Sequence, residues 1–328
     1  MKFKYALIPI LIFCFSCNKD FRSEKDTPLG VVDALWQSID KIYVYINFKN
    51  LDMEDLRELY LAQVSEDTTD EELFEICTDL LFELRDEHCF LNNGDQSVRF
   101  ETAEGFDVFF DLEMIKENYI QSDLEILQYT TTGMINDSIA YLHLSEFEDE
   151  REFQIVMNDI VQNQMNLSKL IFDIRDNSGG DPNMALIAAS SLMEEGILVG
   201  QMVHKNGPEH DAFTDPINLF TLEVPATFQG EVKLLCNRNS YSASSFLAGM
   251  LQYTNNVEII GQITGGGGGD VITQELPNGW VAAVTINFFL DAEGVQIENG
   301  VIPDIELENT FDEIENGIDA ILEEAINR

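Results

Sequence analysis

Two short apolar runs, each leading into a polar turn and then a helical stripe, constrain this chain more than any other feature. Residues 170–174 precede a turn at 177–181 and a helical pattern over 184–193. Residues 232–236 precede the polar segment 239–245, within which a helix begins near Ser242 and runs to about residue 253. Runs this apolar suit strands covered on both faces. Strands alternating with helices need crossover connections, so an α/β core with parallel strand pairs is expected. Residues 106–112, 139–144, 257–261 and 281–290 read as further strands, 155–161 as a helix and 311–326 as a closing amphipathic helix. Before this core, residues 28–92 read as helical. Val31, Ala34, Leu35, Ile39 and Ile42 recur at helical spacing, and Leu73, Ile76, Cys77, Leu80, Leu81 and Leu84 form a second stripe. The five glycines at 265–269 restrict no backbone angle and read as a mobile loop.

The first 17 residues read as an address. Lys2 and Lys4 precede a ten-residue apolar run at 6–15, too short for a membrane span of about 20 residues but suited to a secretory leader. The run ends at Ser16-Cys17, which resembles a bacterial lipoprotein signal. That resemblance implies lipidation at Cys17 and a cell-envelope location, facing periplasm or cell surface, with membrane contact only through the lipid. An ordinary leader cut elsewhere is the alternative. The expected organisation is a leader at 1–17, a linker at 18–27, a helical domain at 28–95 and a core at 96–328. Sixty Asp and Glu against 18 Lys and Arg give a net charge of −42, which disfavours nucleic acid and anionic lipid surfaces as partners. Cys77, Cys89 and Cys236 have neither the pairing of a disulfide framework nor zinc-ligand spacing. His204, His210 and Asp211 read as a solvated loop rather than a metal site, and His143 as structural.

Three segments carry possible chemistry. Ser242, between a strand and a helix, stands where free N–H groups and the helix dipole stabilise an oxyanion; a helix-capping serine is the alternative. Asp173-Ile-Arg175-Asp-Asn177-Ser-Gly179-Gly180 brings polar groups and a glycine pair to the end of a buried strand, as a ligand-facing turn or a tight turn with an ion pair. Asp86-Glu-His88 ends the second helical stripe, where a lone histidine is ordinarily a packed or capping residue.

In this order, with Gly261/Thr264/Gly266 and Glu298/Val301/Pro303/Asp304, the segments resemble the carboxyl-terminal processing (tail-specific) serine peptidases and the core of tricorn protease. The resemblance implies a crotonase-like ββα core of mixed or parallel sheet with helices, preceded by a small helical domain. It implies a serine-type endopeptidase acting on polypeptides, with Ser242 as nucleophile, His88 as base and Glu298 orienting His88. Gly179, Gly180 and Ala243 would form the oxyanion hole, supported by Asp173, Arg175 and Asn177, with no metal or other cofactor. One branch of the family uses a lysine at the position of Gly267; residues 234–328 contain no lysine, which points to the histidine branch. Ser245 stands where the family usually has Glu, and Glu87 where it has Gly. The roughly 45 residues between Gly94 and Ser138 are too few for a tail-binding PDZ domain. A catalytically silent binding protein on the same fold is the alternative. The acidic neighbours of His88 are expected to raise its pKa.

Overall fold

The structure is a computed structural model describing residues 26–101, 103 and 105–328. The leader, Cys17 and most of the proposed linker lie outside the described residues. In chain order the elements are α1 (Pro28–Ile42), α2 (Met53–Leu61), α3 (Asp70–Phe82), β1 (Phe90–Asn92), β2 (Ser97–Arg99), α4 (Leu112–Asn118), β3 (Ser122–Ile126), β4 (Thr130–Asn136), β5 (Ile139–Leu144), α5 (Glu150–Asn163), β6 (Lys169–Asp173) and α6 (Pro182–Ser190). They continue with β7 (Leu198–His204), β8 (Ile217–Phe220), β9 (Glu231–Cys236), α7 (Ala243–Leu251), β10 (Val257–Gly261), β11 (Val271–Glu275), β12 (Val281–Thr285), β13 (Asn287–Asp291), β14 (Ile305–Glu306), α8 (Phe311–Glu315) and α9 (Ala320–Asn327).

The central sheet has the order β14-β10-β9-β6-β5-β4-β3, parallel from β14 to β5 and antiparallel beyond. Its inner strands β5, β6, β9 and β10 are largely apolar because both of their faces are covered. Leu142, Leu170, Phe172, Leu234 and Ile259 point into the core with α5, α6 and α7, while Tyr141, Ile171, Leu235 and Ile260 join the core with α4 and α9. A second sheet, β11-β12-β1-β2, carries α1–α3. Leu276, Trp280, Ala282 and Val284 share one core with those helices, so the N-terminal helices pack onto strands from late in the chain. The boundary at residue 95 falls in the turn between the paired strands β1 and β2. A third sheet has the order β13-β7-β8.

Several local expectations differ from the structure. Residues 106–111 form no strand: Asp111 caps α4 through the Met114 amide, Phe109 packs on Phe311, and Phe110 packs on Arg175. The apolar stretch 281–290 divides at Ile286 into β12 and β13, which belong to different sheets. The closing helix breaks at Asn316-Gly317, where Gly317 has φ of 77°. The glycine run is buried throughout and is packed rather than loose.

Candidate active site

The loops that follow β6, β9 and β10 leave the same carboxyl edge of the parallel sheet, where register places Asp173 opposite Leu235 and Cys236 opposite Gly261. Open α/β sheets bind ligands at this edge. The loop after β9 carries Ser242, immediately before α7. Ser242 has φ 54° and ψ −117°, strained for a residue with a side chain, and makes no capping hydrogen bond. A capping serine adopts extended backbone and bonds the helix amides, so that alternative does not describe Ser242. Its Oγ instead lies 3.0 Å from Nε2 of His88, 154 residues away in sequence.

The neighbouring hydroxyls are committed elsewhere. Ser240 Oγ donates to the Ile174 carbonyl at 2.8 Å, and Ser244 Oγ to the Asn177 carbonyl at 2.8 Å. Ser245 Oγ donates to the Ser240 carbonyl and accepts from the Gly266 amide at 3.0 Å. The residue standing in place of the family's glutamate therefore ties α7 to the glycine loop. That loop in turn accepts the Ser242 amide at the Gly266 carbonyl, 2.9 Å away.

His88 arrives from the second sheet, between α3 and β1. Its amide donates to Asp86 Oδ1 at 2.9 Å, and Thr285 donates to Asp86 Oδ2 at 2.7 Å. Asp86 is 1% exposed. Burial alone would raise its pKa, but Lys49, His88 and these hydrogen bonds outweigh burial and hold it below the usual carboxylate range. Sequence reasoning placed Asp86 in a motif without giving it this bracing role.

Burial lowers the His88 pKa and outweighs the opposing pull of Asp86, Asp270 and Glu87. The expected upward shift is thus corrected in direction: desolvation of the imidazolium costs more than the carboxylates return. The neutral imidazole, the form that can accept a proton, is favoured at neutral pH. Because the folded chain binds this proton less readily than the unfolded chain, the His88 contribution to stability falls as pH drops below about 6.5. The His88 ring, assigned in NMR spectra by its loss in His88→Gln, should titrate below pH 6.5. Titration above that value would overturn this account.

Glu298 does not meet His88 as expected. Its Oε1 accepts from Lys49 Nζ at 2.6 Å and its Oε2 from the Gly268 amide at 3.1 Å. His88 Nδ1 is sealed from solvent and has no hydrogen-bond partner among the described residues. The Lys49 ion pair, which the sequence does not foreshadow, is what draws the carboxylate away. Glu298 is 6% exposed. Burial and the nearby Asp86 push its pKa up to about 7 against the opposing effect of Lys49.

Asn177 knits the glycine turn to the serine turn. Its Nδ2 donates to the Leu144 carbonyl at 2.9 Å, its Oδ1 accepts the Gly179 amide at 2.8 Å, and its carbonyl accepts the Tyr241 amide at 3.0 Å. The Gly179 amide is thereby occupied, which corrects its expected place in the oxyanion hole. Gly180 and Ala243 are the amides of that set without a partner among the described residues. Gly179 is required for another reason: φ is 113°, and a Cβ would lie 2.7 Å from Ser242 Cβ. Asp173 and Arg175 pair in the sheet interior with Asp319 and do not reach the Ser242 side chain. His143 is buried and bonds the Arg175 carbonyl at 3.2 Å. His210 pairs with Asp40 at 2.8 Å, and no group of three metal-ligating side chains occurs among the described residues.

The position of a family lysine, Gly267, lies under the Tyr241 ring, which a side chain there would strike. Tyr241 itself packs on His88 with ring centroids 4.9 Å apart. Gly267→Lys is therefore expected to displace both rings rather than create a serine–lysine pair. It should cut the labelling of Ser242 by a serine-directed probe at least about tenfold, since small misplacements of reacting groups carry large rate penalties. Wild-type labelling in this variant would contradict the packing argument.

Fold and site together define an α/β protein with a serine–histidine contact at the carboxyl edge of a parallel sheet. The model of peptidase family S41 matches residues 138–307, and that of the tricorn protease C1 domain matches residues 30–82. The chain belongs to peptidase family S41. It is 26% identical over 200 residues to carboxyl-terminal-processing peptidase 2 of Arabidopsis thaliana chloroplasts, a match covering 61% of this chain and 37% of that protein. It is 26% identical to the carboxy-terminal processing protease CtpA of Bacillus subtilis over 139 residues, 42% of this chain and 28% of that one. The matches thus span well under half the length of these curated relatives. Among solved structures, a candidate peptidase from Parabacteroides merdae superposes with a TM-score of 0.84 at 30% identity, covering 92% of this chain and 96% of the other. Mature CPAF shares the fold, with a TM-score of 0.72 at 12% identity over 93% and 96% of the two chains.

Proposed function

We propose that this chain is a serine-type endopeptidase that cleaves polypeptides with Ser242 as nucleophile and His88 as general base. The observation that carries this reading is the 3.0 Å contact between His88 Nε2 and Ser242 Oγ. Ser242 Oγ attacks the peptide carbonyl while His88 Nε2 takes its proton. The Gly180 and Ala243 amides receive the negative charge that develops on the carbonyl oxygen, and the imidazolium then protonates the leaving amine. Asp86, bonded to the His88 amide, anchors the loop and supplies the strongest opposing charge to the imidazolium. Glu298 keeps a place in the site through the Gly268 amide and Lys49, not as a direct partner of His88. The proposed location is the cell envelope, with a lipid anchor at Cys17. No helix among the described residues is long and apolar enough to cross a membrane.

A fluorophosphonate probe tests the reading. Ser242 should be labelled in the folded protein and identified by peptide mapping, while Ser240 and Ser244 stay unmodified. Labelling of either neighbour would move the nucleophile. No labelling between pH 6 and 9 would favour the silent binding protein.

A further inference from the structure

Lys49 lies in the turn segment after α1, yet all three of its protons are spent on the site. Nζ donates to the Leu84 carbonyl at 2.8 Å, to the Arg85 carbonyl at 3.1 Å and to Glu298 Oε1 at 2.6 Å. Its side chain is 11% exposed and that of Glu298 3%. The ammonium also sits 5.3 Å from the Tyr45 ring centroid and 5.8 Å from that of Tyr43. One cation thus joins the loop that leads to His88 with the carboxylate that fixes the Gly268 amide, and so with the glycine strap that holds the Ser242 amide.

We infer that Lys49 is a positioning residue, which clamps the His88 loop to the Ser242 strap through the Glu298 carboxylate. The inference rests on the proposed function for its catalytic consequence but not for its electrostatics. The groups facing the Glu298 carboxyl are Lys49, Tyr43 and Tyr45 from the segment after α1, Asp86 from the loop after α3, and Tyr241 from the turn before α7. The two tyrosines before Lys49 and Tyr241 are neutral, their pKa values pushed well up by burial. Asp86 repels the Glu298 charge, and Lys49 opposes that repulsion. Without Lys49, burial and Asp86 act unopposed, and Glu298 takes up a proton at higher pH. A neutral carboxyl leaves the clamp without its ionic half.

The test compares Lys49→Met, Lys49→Arg and the double variant Lys49→Met/Glu298→Gln in the full chain. With carboxyl-labelled glutamate, NMR should show the Glu298 ionisation in Lys49→Met at least one pH unit above that of the wild-type chain. The rate of fluorophosphonate labelling in Lys49→Met should fall at least tenfold at pH 7 and pH 9 alike, because the ammonium that joins the His88 loop to Glu298 is absent at both, whereas Lys49→Arg should stay within about threefold of wild type. Lys49→Arg should keep the Glu298 ionisation near its wild-type position. The double variant should be labelled no more slowly than Lys49→Met, because Glu298 is joined to the His88 loop through Lys49. An unchanged Glu298 ionisation in Lys49→Met overturns the inference, as does wild-type labelling in that variant or a Lys49→Arg variant labelled as slowly as Lys49→Met. If Lys49→Met does not fold, the Lys49→Arg titration decides: a Glu298 ionisation one pH unit above wild type, despite the retained charge, overturns it. A wild-type chain that is never labelled refutes the peptidase reading alone, because the carboxyl titration still reports on the clamp.

Discussion

His88→Ala and Ser242→Ala are each expected to reduce peptide hydrolysis by about 10⁴–10⁶-fold, the scale on which removing a nucleophile or its base acts in serine hydrolases. The two losses should be nearly equal, and the double variant should be no worse than either, because nucleophile and base act as one unit. That non-additivity is the sharper measurement, since unrelated structural damage would accumulate. The Ser242 hydroxyl has only the His88 ring as a hydrogen-bond partner among the described residues, at 3.0 Å, and the other serines of the turn are bonded to backbone carbonyls. No neighbouring serine hydroxyl can therefore substitute without breaking its own bond. A His88→Ala variant that kept more than about a tenth of wild-type activity would require a different base. Glu298→Gln should cost less than either, because Glu298 acts through Lys49 and the Gly268 amide and does not touch the imidazole.

Most of the central sheet was legible because parallel strands buried on both faces leave an apolar run that no surface element imitates. The segments around Asp173, Leu234 and Ile259 carry it plainly, and the first two are each followed by a turn and a helix. The pairing of Ser242 with His88 was legible only through the order of the motifs, since the two residues lie on different sheets and nothing local joins them. What escaped was whatever depended on close approach between distant segments. The glycine run looked loose because freedom of backbone is all that sequence shows; in the fold its missing side chains admit the Tyr241 ring at Gly267 and the Arg238 carbonyl at Gly265. Lys49 has no local signature, its partners standing 35, 36 and 249 residues away. Phe109 and Phe110 suggested a strand because aromatic residues favour strands, but they serve instead to pack on Phe311 and on the Arg175 guanidinium.

The largest stability effect is expected at Arg175. Its side chain is fully buried and bonds Asp173 through Nε and Nη2, the latter at 2.6 Å, and Asp319 through Nη1 at 2.8 Å. Asp173 also accepts the Tyr141 hydroxyl at 2.8 Å, and Asp319 caps α9 through the Leu322 amide at 2.9 Å. This one guanidinium therefore ties β6, β5 and the closing helix together beneath the loop that carries Asn177 and the glycine turn. Burial alone would raise the Asp173 pKa, but the Arg175 charge and hydrogen bonds hold it below the usual carboxylate range. Arg175→Met keeps the apolar stem and removes the charge, leaving two carboxylates without their counter-ion. Breaking a buried pair from one side costs about 3–5 kcal/mol, a large share of the roughly 5–15 kcal/mol that holds a domain folded. Urea unfolding should show that loss at pH 7. The wild-type Asp173 contribution is present above its unfolded value of about 3.9 and is lost as pH falls through the depressed folded value. In Arg175→Met the Asp173 pKa moves upward instead, so the penalty is greatest at neutral pH and shrinks as the pH approaches about 4, where the unfolded chain also becomes protonated. The gap between variant and wild type should therefore narrow on acidification. A gap independent of pH would mean that lost packing, not an unpaired charge, is what the substitution removes.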